Sequence, residues 1–399
     1  MDKNKQHNVA REVHHTESST MHSMHKPNTP EGFFNPADKQ TPASKKPWYR
    51  NHRNQIIVGI SATIIIAASL GGWYVLAHKK KVVSEAPKPT ERPRPSESPK
   101  PITKAAPLTG LQVDPAQADL PIVGVVVENL YPDARPQSGL SQAGIVYEAL
   151  AEGGITRYQA FYQELPKDIG PVRSLRTYFA YWGLEYNSPV AHAGGNADAL
   201  DLAAAQKMKD LNAFYYLDFR RISSRYAPHN LYITGESLGK LAKAQGFDEK
   251  PTVEAWPYKD DAKSPTPTAS KITVDFSYYD YQASFAYNPD SNDYTRSVRG
   301  VPAIDQNTEK AAQPKNVIVM YMPTSYGKTR TDEQTVIMQI IGSGKAVVFR
   351  DGVATEGTWK KESAGGRTTF TDTAGAPISL NRGQTWVSVV PVGKLATWE

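Results

Sequence analysis

The sequence predicts an α+β protein: a mixed α/β ectodomain followed by a β-rich C-terminal domain, carried on a single transmembrane helix. Three observations predict it. Residues 56–77 run 22 positions without a charge; helical and strand patterns mix between 108 and 250; and short alternating runs dominate from 271 to the end.

Residues 1–54 are rich in His, Asn, Lys, Ser and Pro and show no apolar periodicity, so they predict a disordered polar tail. Five of the nine histidines lie in the first 25 residues, a pattern of a solvated tail or of weak metal binding. The run IIVGISATIIIAASLGGWYVLA (56–77) would span roughly 33 Å as a helix, the thickness of a bilayer core, which sets a transmembrane segment at 55–78. Trp48, Tyr49, Trp73 and Tyr74 stand where interfacial aromatic belts form. Lysines and arginines flank both ends, so local charge does not orient the helix. A long translocatable domain and a proline-rich spacer at 79–107 favour a cytoplasmic N-terminus and an extracytoplasmic C-terminal region at the cell membrane.

From Leu108 the first block reads as strand PIVGVVVEN, then IVYEALAE and ITRYQAFYQEL folded as a hairpin about Gly153-Gly154. RSLRTYFAYWGLEY (173–186) and ADALDLAAAQKMKD (197–210) read as helices. Residues 251–270 are a loop-like linker. The runs KITVDFSYY, ASFAYN, NVIVMYM, QTVIMQIIG, KAVVFR and QTWVSVVP then predict strands, with Asp351-Gly352 as a hairpin turn.

Charge and composition exclude several functions. The net charge of +6 is uneven: residues 1–55 hold 9 basic and 5 acidic side chains and residues 79–107 hold 8 and 3, leaving 29 basic and 32 acidic in 108–399. The folded part therefore has no phosphate-neutralising excess, and nucleic acid is not an expected partner. Cysteine is absent, so thiolate metal sites, disulfides and a cysteine nucleophile are excluded. No phosphate-binding glycine loop, nucleophile elbow or dinucleotide fingerprint occurs. No cofactor and no transition metal are expected in the folded region.

The candidate site residues lie in the mixed block. His192 ends an apolar run before Gly194-Gly195-Asn196 and a helix start, as an anion-site neighbour or as a structural histidine beside a tight turn. Arg225, His229 and Asn230 surround Pro228 in a loop that either carries function or bonds to itself. Glu148 and Glu152 are expected on one face with Arg157 across from them, as paired acid–base carboxylates or as partners in a cross-strand salt bridge. Arg173 and Arg176 open a helix, where positive charge opposes the dipole. An anionic ligand, or a buried carboxylate such as Glu128 or Glu152, would account for them. Asn129, Glu152, Arg157, Arg173, Arg176, His192, Arg225, His229 and Asn230 are expected to converge on one cleft, with Glu152 and His192 as the catalytic candidates if there is catalysis.

The segments VENLYPDARPQSGLSQAGIVYEALAEGGITRY, IGPVRSLRTYF, HAGG and APHNLY, with NVIVMYM, GSGKAVVFRDG, GTWKK and GQTWVSVVP, resemble the YerB-like lipoprotein family, a bacterial family of unknown function. The resemblance covers nearly all of 108–399. It implies an extracytoplasmic protein with N-terminal and C-terminal domains, and it names no reaction. Two departures stand out. The family's lipidated cysteine is missing, its place expected to be taken by the run at 56–77, and Ala303 stands where the resemblance implies histidine in many relatives. The expected function is binding of an anionic or sugar-bearing cell-envelope component, a cell-wall polymer or an envelope protein. The alternative is an envelope hydrolase using Glu152 or His192 as general acid or base.

Overall fold

A computed structural model describes residues 102–399. The tail, the transmembrane run at 55–78 and the spacer up to residue 101 lie outside the described residues.

The centre is one ten-stranded mixed sheet. In chain order its strands are β1 (Val123–Glu128), β2 (Ile145–Leu150), β3 (Thr156–Tyr162), β4 (Val190–His192), β5 (Asp210–Asn212), β6 (Asn316–Met322), β7 (Gly342–Arg350), β8 (Val353–Lys361), β9 (Thr369–Asp372) and β10 (Thr385–Pro391). Across the sheet they run β9-β8-β7-β6-β10-β2-β3-β1-β4-β5. The join between early and late sequence is the parallel pair β10 and β2, from Thr385 opposite Ile145 to Val389 opposite Ala149. β1, β2 and β3 are buried along their whole length, as expected of strands covered on both faces.

Alternation along the strands separates those faces. On one, Tyr147 stacks on Trp182 at 4.4 Å and Phe161 packs on Tyr186 at 4.2 Å, both from helix α1 (Thr177–Glu185) and its C-terminal cap. The helix comes close because Gly183 has no side chain: a Cβ there would stand 2.5 Å from Val190. On the other face, Trp386 of β10 meets Phe285 at 6.3 Å and Phe349 of β7 meets Trp398 at 5.3 Å. Phe285 and Trp398 belong to a second, five-stranded sheet whose central strands are Lys271–Val274, Ala283–Asn288 and Asp293–Val298. The result is helices, large sheet and small sheet in three layers.

Two features of the expected fold are corrected. The described region is mostly β, and a mixed α/β domain followed by a separate β-rich one gives way to a sheet that takes strands from both sides of 251–270. Periodicity identifies strands but not their partners, so a parallel join across some 240 residues leaves no local trace. The single transmembrane helix, the integral single-pass anchorage and the cell-membrane placement are cut back as well: the run at 55–78 lies outside the described residues, and nothing described carries them. Among the described residues no helix is long and apolar enough to cross a membrane. The longest, α3 (Gly235–Ala244), follows α2 (Ala197–Ala205) and has ten residues.

Candidate functional site

Both predicted hairpins form, and the first builds the site. β2 and β3 pair antiparallel around Glu152-Gly153-Gly154, where Gly153 and Gly154 take φ of +67° and +73°, a region that favours glycine. β1 pairs with β3 so that Glu128 stands directly opposite Arg157. The chain then returns through Arg173, whose backbone N–H donates to Val126 O at 2.9 Å. That contact sets the start of α1 beside the ends of β1 and β3.

The side chains gathered there are charged. Arg173 Nε donates to Glu128 Oε1 at 2.9 Å, and His229 Nδ1 lies 3.0 Å from the same oxygen. Arg176 grips Glu152 with two parallel bonds, Nε to Oε1 at 2.5 Å and Nη2 to Oε2 at 2.6 Å. Burial pushes the Glu152 carboxyl up, but the Arg176 hydrogen bonds and charge outweigh it and hold the group below the usual carboxylate range. The two arginines that oppose the α1 dipole thus have the carboxylate partners Glu128 and Glu152.

Arg157 has none. It is 8% exposed, and its Nη1 donates to Ser174 O at 2.8 Å while its Nε has no partner. No carboxylate of the described residues lies within the 4.0 Å of an ion pair. Burial first, and then the charge of Arg176, push its guanidinium down to about 10. Three arginines and one histidine therefore share two carboxylates, and Glu128 Oε2 is itself left without a hydrogen bond.

The remaining predicted residues belong elsewhere. His192 is fully buried, with Nδ1 at 2.8 Å from Gly194 O and Nε2 at 2.7 Å from Asp210 Oδ1, so both ring nitrogens are engaged away from the arginines. Asn230 ties its own loop, accepting from Arg221 Nη1 and donating to Ile222 O and Arg225 O. Arg225 reaches the Tyr232 hydroxyl and Pro136 O. Asn129 is buried and accepts from Arg135 Nε and Gln137 Nε2 while donating to Thr156 Oγ1. The one expected cleft divides into the arginine cluster, a self-bonded loop and a buried histidine.

Glu148 and Glu152 are not neighbours on a face. Glu148 is buried on the small-sheet side, where it accepts from Thr156 Oγ1, Arg296 Nη2 at 2.8 Å and Trp386 Nε1 at 3.2 Å. Arg296, Arg135 and Gln137 were not among the predicted site residues. A signal for Arg296 did exist, since the charge within the apolar run IVYEAL needs a buried cation somewhere. Among the described residues no group of three His, Asp or Glu side chains is placed to hold a metal ion.

Fold and site together define a three-layer, β-rich protein with a charged cluster at the ends of its central strands, and the chain belongs to a known family with that build. It is a member of the DUF3048 family, described as a protein of unknown function: the N-terminal domain matches residues 108–248 and the C-terminal domain residues 272–387. A protein of Bacillus subtilis (strain 168) named "Putative lipoprotein YerB" is 33% identical over 294 residues, covering 71% of this chain and 85% of that protein. The crystal structure of YerB from Bacillus subtilis superimposes with a TM-score of 0.66 at 29% identity, over 74% of this chain and 99% of that one. Family and relative support an extracytoplasmic protein of unassigned activity. The relative's name speaks of lipid attachment, which is a different anchorage from a membrane-spanning helix.

Proposed function

We propose that the protein binds an anionic component of the cell envelope, with Arg157, Arg173 and Arg176 contacting its carboxylate or phosphate groups. One observation carries the proposal: Arg157 is a buried guanidinium with no carboxylate partner, held beside two further arginines. A buried charge without a counterion is costly, and a ligand anion would supply what the chain omits. Arg173 is 27% exposed at its side chain and Arg176 12%, so both are reachable from solvent. The hydrolase alternative draws less support. Glu152 is held ionised by Arg176 and so suits proton donation poorly, and His192 has both ring nitrogens occupied.

Incubation of the purified chain with isolated cell-wall material tests the two against each other. Binding predicts co-sedimentation with the polymer that is lost in Arg173→Ala and Arg176→Ala, with no soluble fragments released. Release of fragments that stops in Glu152→Gln or His192→Ala would overturn binding in favour of hydrolysis. Absence of both results would point to a protein partner.

A further inference from the structure

Tyr158 follows Arg157 on β3 and so faces the other side of the sheet. There it lines a cavity of about 390 Å³ between residues of the two family-matched segments. The buried part of the lining is Asn129, Gln137, Tyr158, Arg296 and Val298; the more exposed part includes Val301 and Ile304. Arg135, Arg299 and Ala303 also line it.

The polar atoms of this lining are mostly donors without a full set of acceptors. Arg296 is 2% exposed; its Nη2 donates to Glu148 Oε2 at 2.8 Å and to the Tyr158 hydroxyl at 3.2 Å, while its Nε has no partner. The Tyr158 hydroxyl accepts that bond, and no acceptor among the described residues is in place for its own proton. Arg135 donates only to neutral oxygens: Asn129 Oδ1 at 2.8 Å, Asn129 O at 3.3 Å and Asp280 O at 2.8 Å. Arg296 is neutralised by Glu148 and Arg299 by Asp280, with Nε to Oδ1 at 2.6 Å. Arg135 has no carboxylate within ion-pair distance among the described residues. The lining thus carries one positive charge in excess, next to the aliphatic surface of Val298, Val301 and Ile304.

We infer that this cavity binds a monocarboxylate bearing a short apolar group. The carboxylate takes the guanidinium and phenol donors, and the hydrocarbon lies along the aliphatic wall. A carboxylate accepts from the donors left without partners, and one negative charge balances the excess. A phosphate dianion would bury a second charge with no cation to meet it. The cavity is of a size that holds small ligands. It uses none of the three arginines of the other face, so the two sites stand or fall separately.

Calorimetric titration of the full chain with sodium hexanoate, hexan-1-ol and inorganic phosphate tests the inference. Hexanoate is expected to saturate one site, and hexanol, with the same chain and no charge, to bind about tenfold or more weakly. Ala303→Trp fills the cavity without changing its charge, and Arg135→Gln removes the excess. Each is expected to weaken hexanoate about tenfold or more. Hexanol binding as tightly as hexanoate, phosphate displacing hexanoate, unchanged affinity in Ala303→Trp, or no saturable hexanoate binding would each overturn it. If Ala303→Trp does not fold, as judged by its unfolding transition, Arg135→Gln and the hexanol comparison on the unaltered chain decide.

Discussion

Two buried charge clusters lie on the helix-covered side of the large sheet, and they differ in how completely they are paired. Glu185, at the end of α1, has no exposed surface on its side chain. It accepts from Arg367 and the Thr368 backbone at one oxygen, and from Lys361 Nζ at 3.0 Å and Thr368 Oγ1 at 2.7 Å at the other. Burial pushes its carboxyl up, and the charges of Arg367 and Lys361 bring it below the usual range. At the other cluster, Glu128 has an unpaired oxygen and Arg157 has no carboxylate. The first network is closed and belongs to the scaffold. The second is open, and an open polar network in a folded protein asks for a further group.

The largest effect expected from this comparison is at Glu185. Replacing it by Gln leaves Lys361 and Arg367 buried without their shared carboxylate, and removing one member of a buried ion network costs about 3–5 kcal/mol. A urea unfolding midpoint close to that of the unaltered chain would mean that the closed network is not structural. Binding to cell-wall material, measured below the shifted midpoint, is expected to persist.

A smaller effect, with a defined pH dependence, is expected at Glu152. Its folded-state carboxyl titrates below its ordinary value of 4.5, so its stabilisation is fully present above that value and is lost as pH falls through the depressed one. The chain should therefore be more stable than Glu152→Gln at pH 6, by about 1 kcal/mol for a partly exposed bidentate pair. The difference should shrink as pH falls below about 4.5. Unfolding curves of the two proteins at pH 6 and pH 3 measure it, and a difference that stays constant would place the stabilisation outside the Glu152 carboxylate.

The sequence made the elements legible where the signal was local. Gly153-Gly154 and Asp351-Gly352 mark the hairpins that form between β2 and β3 and between β7 and β8. Asn196 caps α2 by accepting from Ala199 N at 3.0 Å, as a polar residue before a helical run should. Of the site, the charged pairs Arg173 with Glu128 and Arg176 with Glu152 could be offered as possibilities, because a cation at a helix start needs an explanation. What could not be seen was distance along the chain. Glu148 meets Arg296 148 positions later, and Glu185 meets Arg367 182 positions later. Strand alternation assigns faces within an element and is silent on what covers each face. For the same reason His192 could not be separated from the arginines by sequence: its partner Asp210 lies on the next strand, 18 positions on.

The smallest effect on stability, and the sharpest test of the comparison, is expected at Arg157. In a closed network, removing a charged member leaves its partner stranded and lowers stability. Arg157 strands no carboxylate, and its own desolvation, with Arg173 and Arg176 nearby, already pushes its guanidinium down to about 10. Replacement by Met keeps the aliphatic stem, removes the unpaired charge and forfeits one bond to Ser174 O. These terms oppose each other at about 1 kcal/mol apiece, so the unfolding free energy should change by less than about 1 kcal/mol, in either direction. Co-sedimentation with cell-wall material should nevertheless fall, and its salt dependence should weaken, because one cation has left the proposed anion-binding face. A loss of about 3 kcal/mol or more would show that Arg157 is paired within the fold after all. Unchanged stability with unchanged co-sedimentation would remove the arginine cluster as the binding surface.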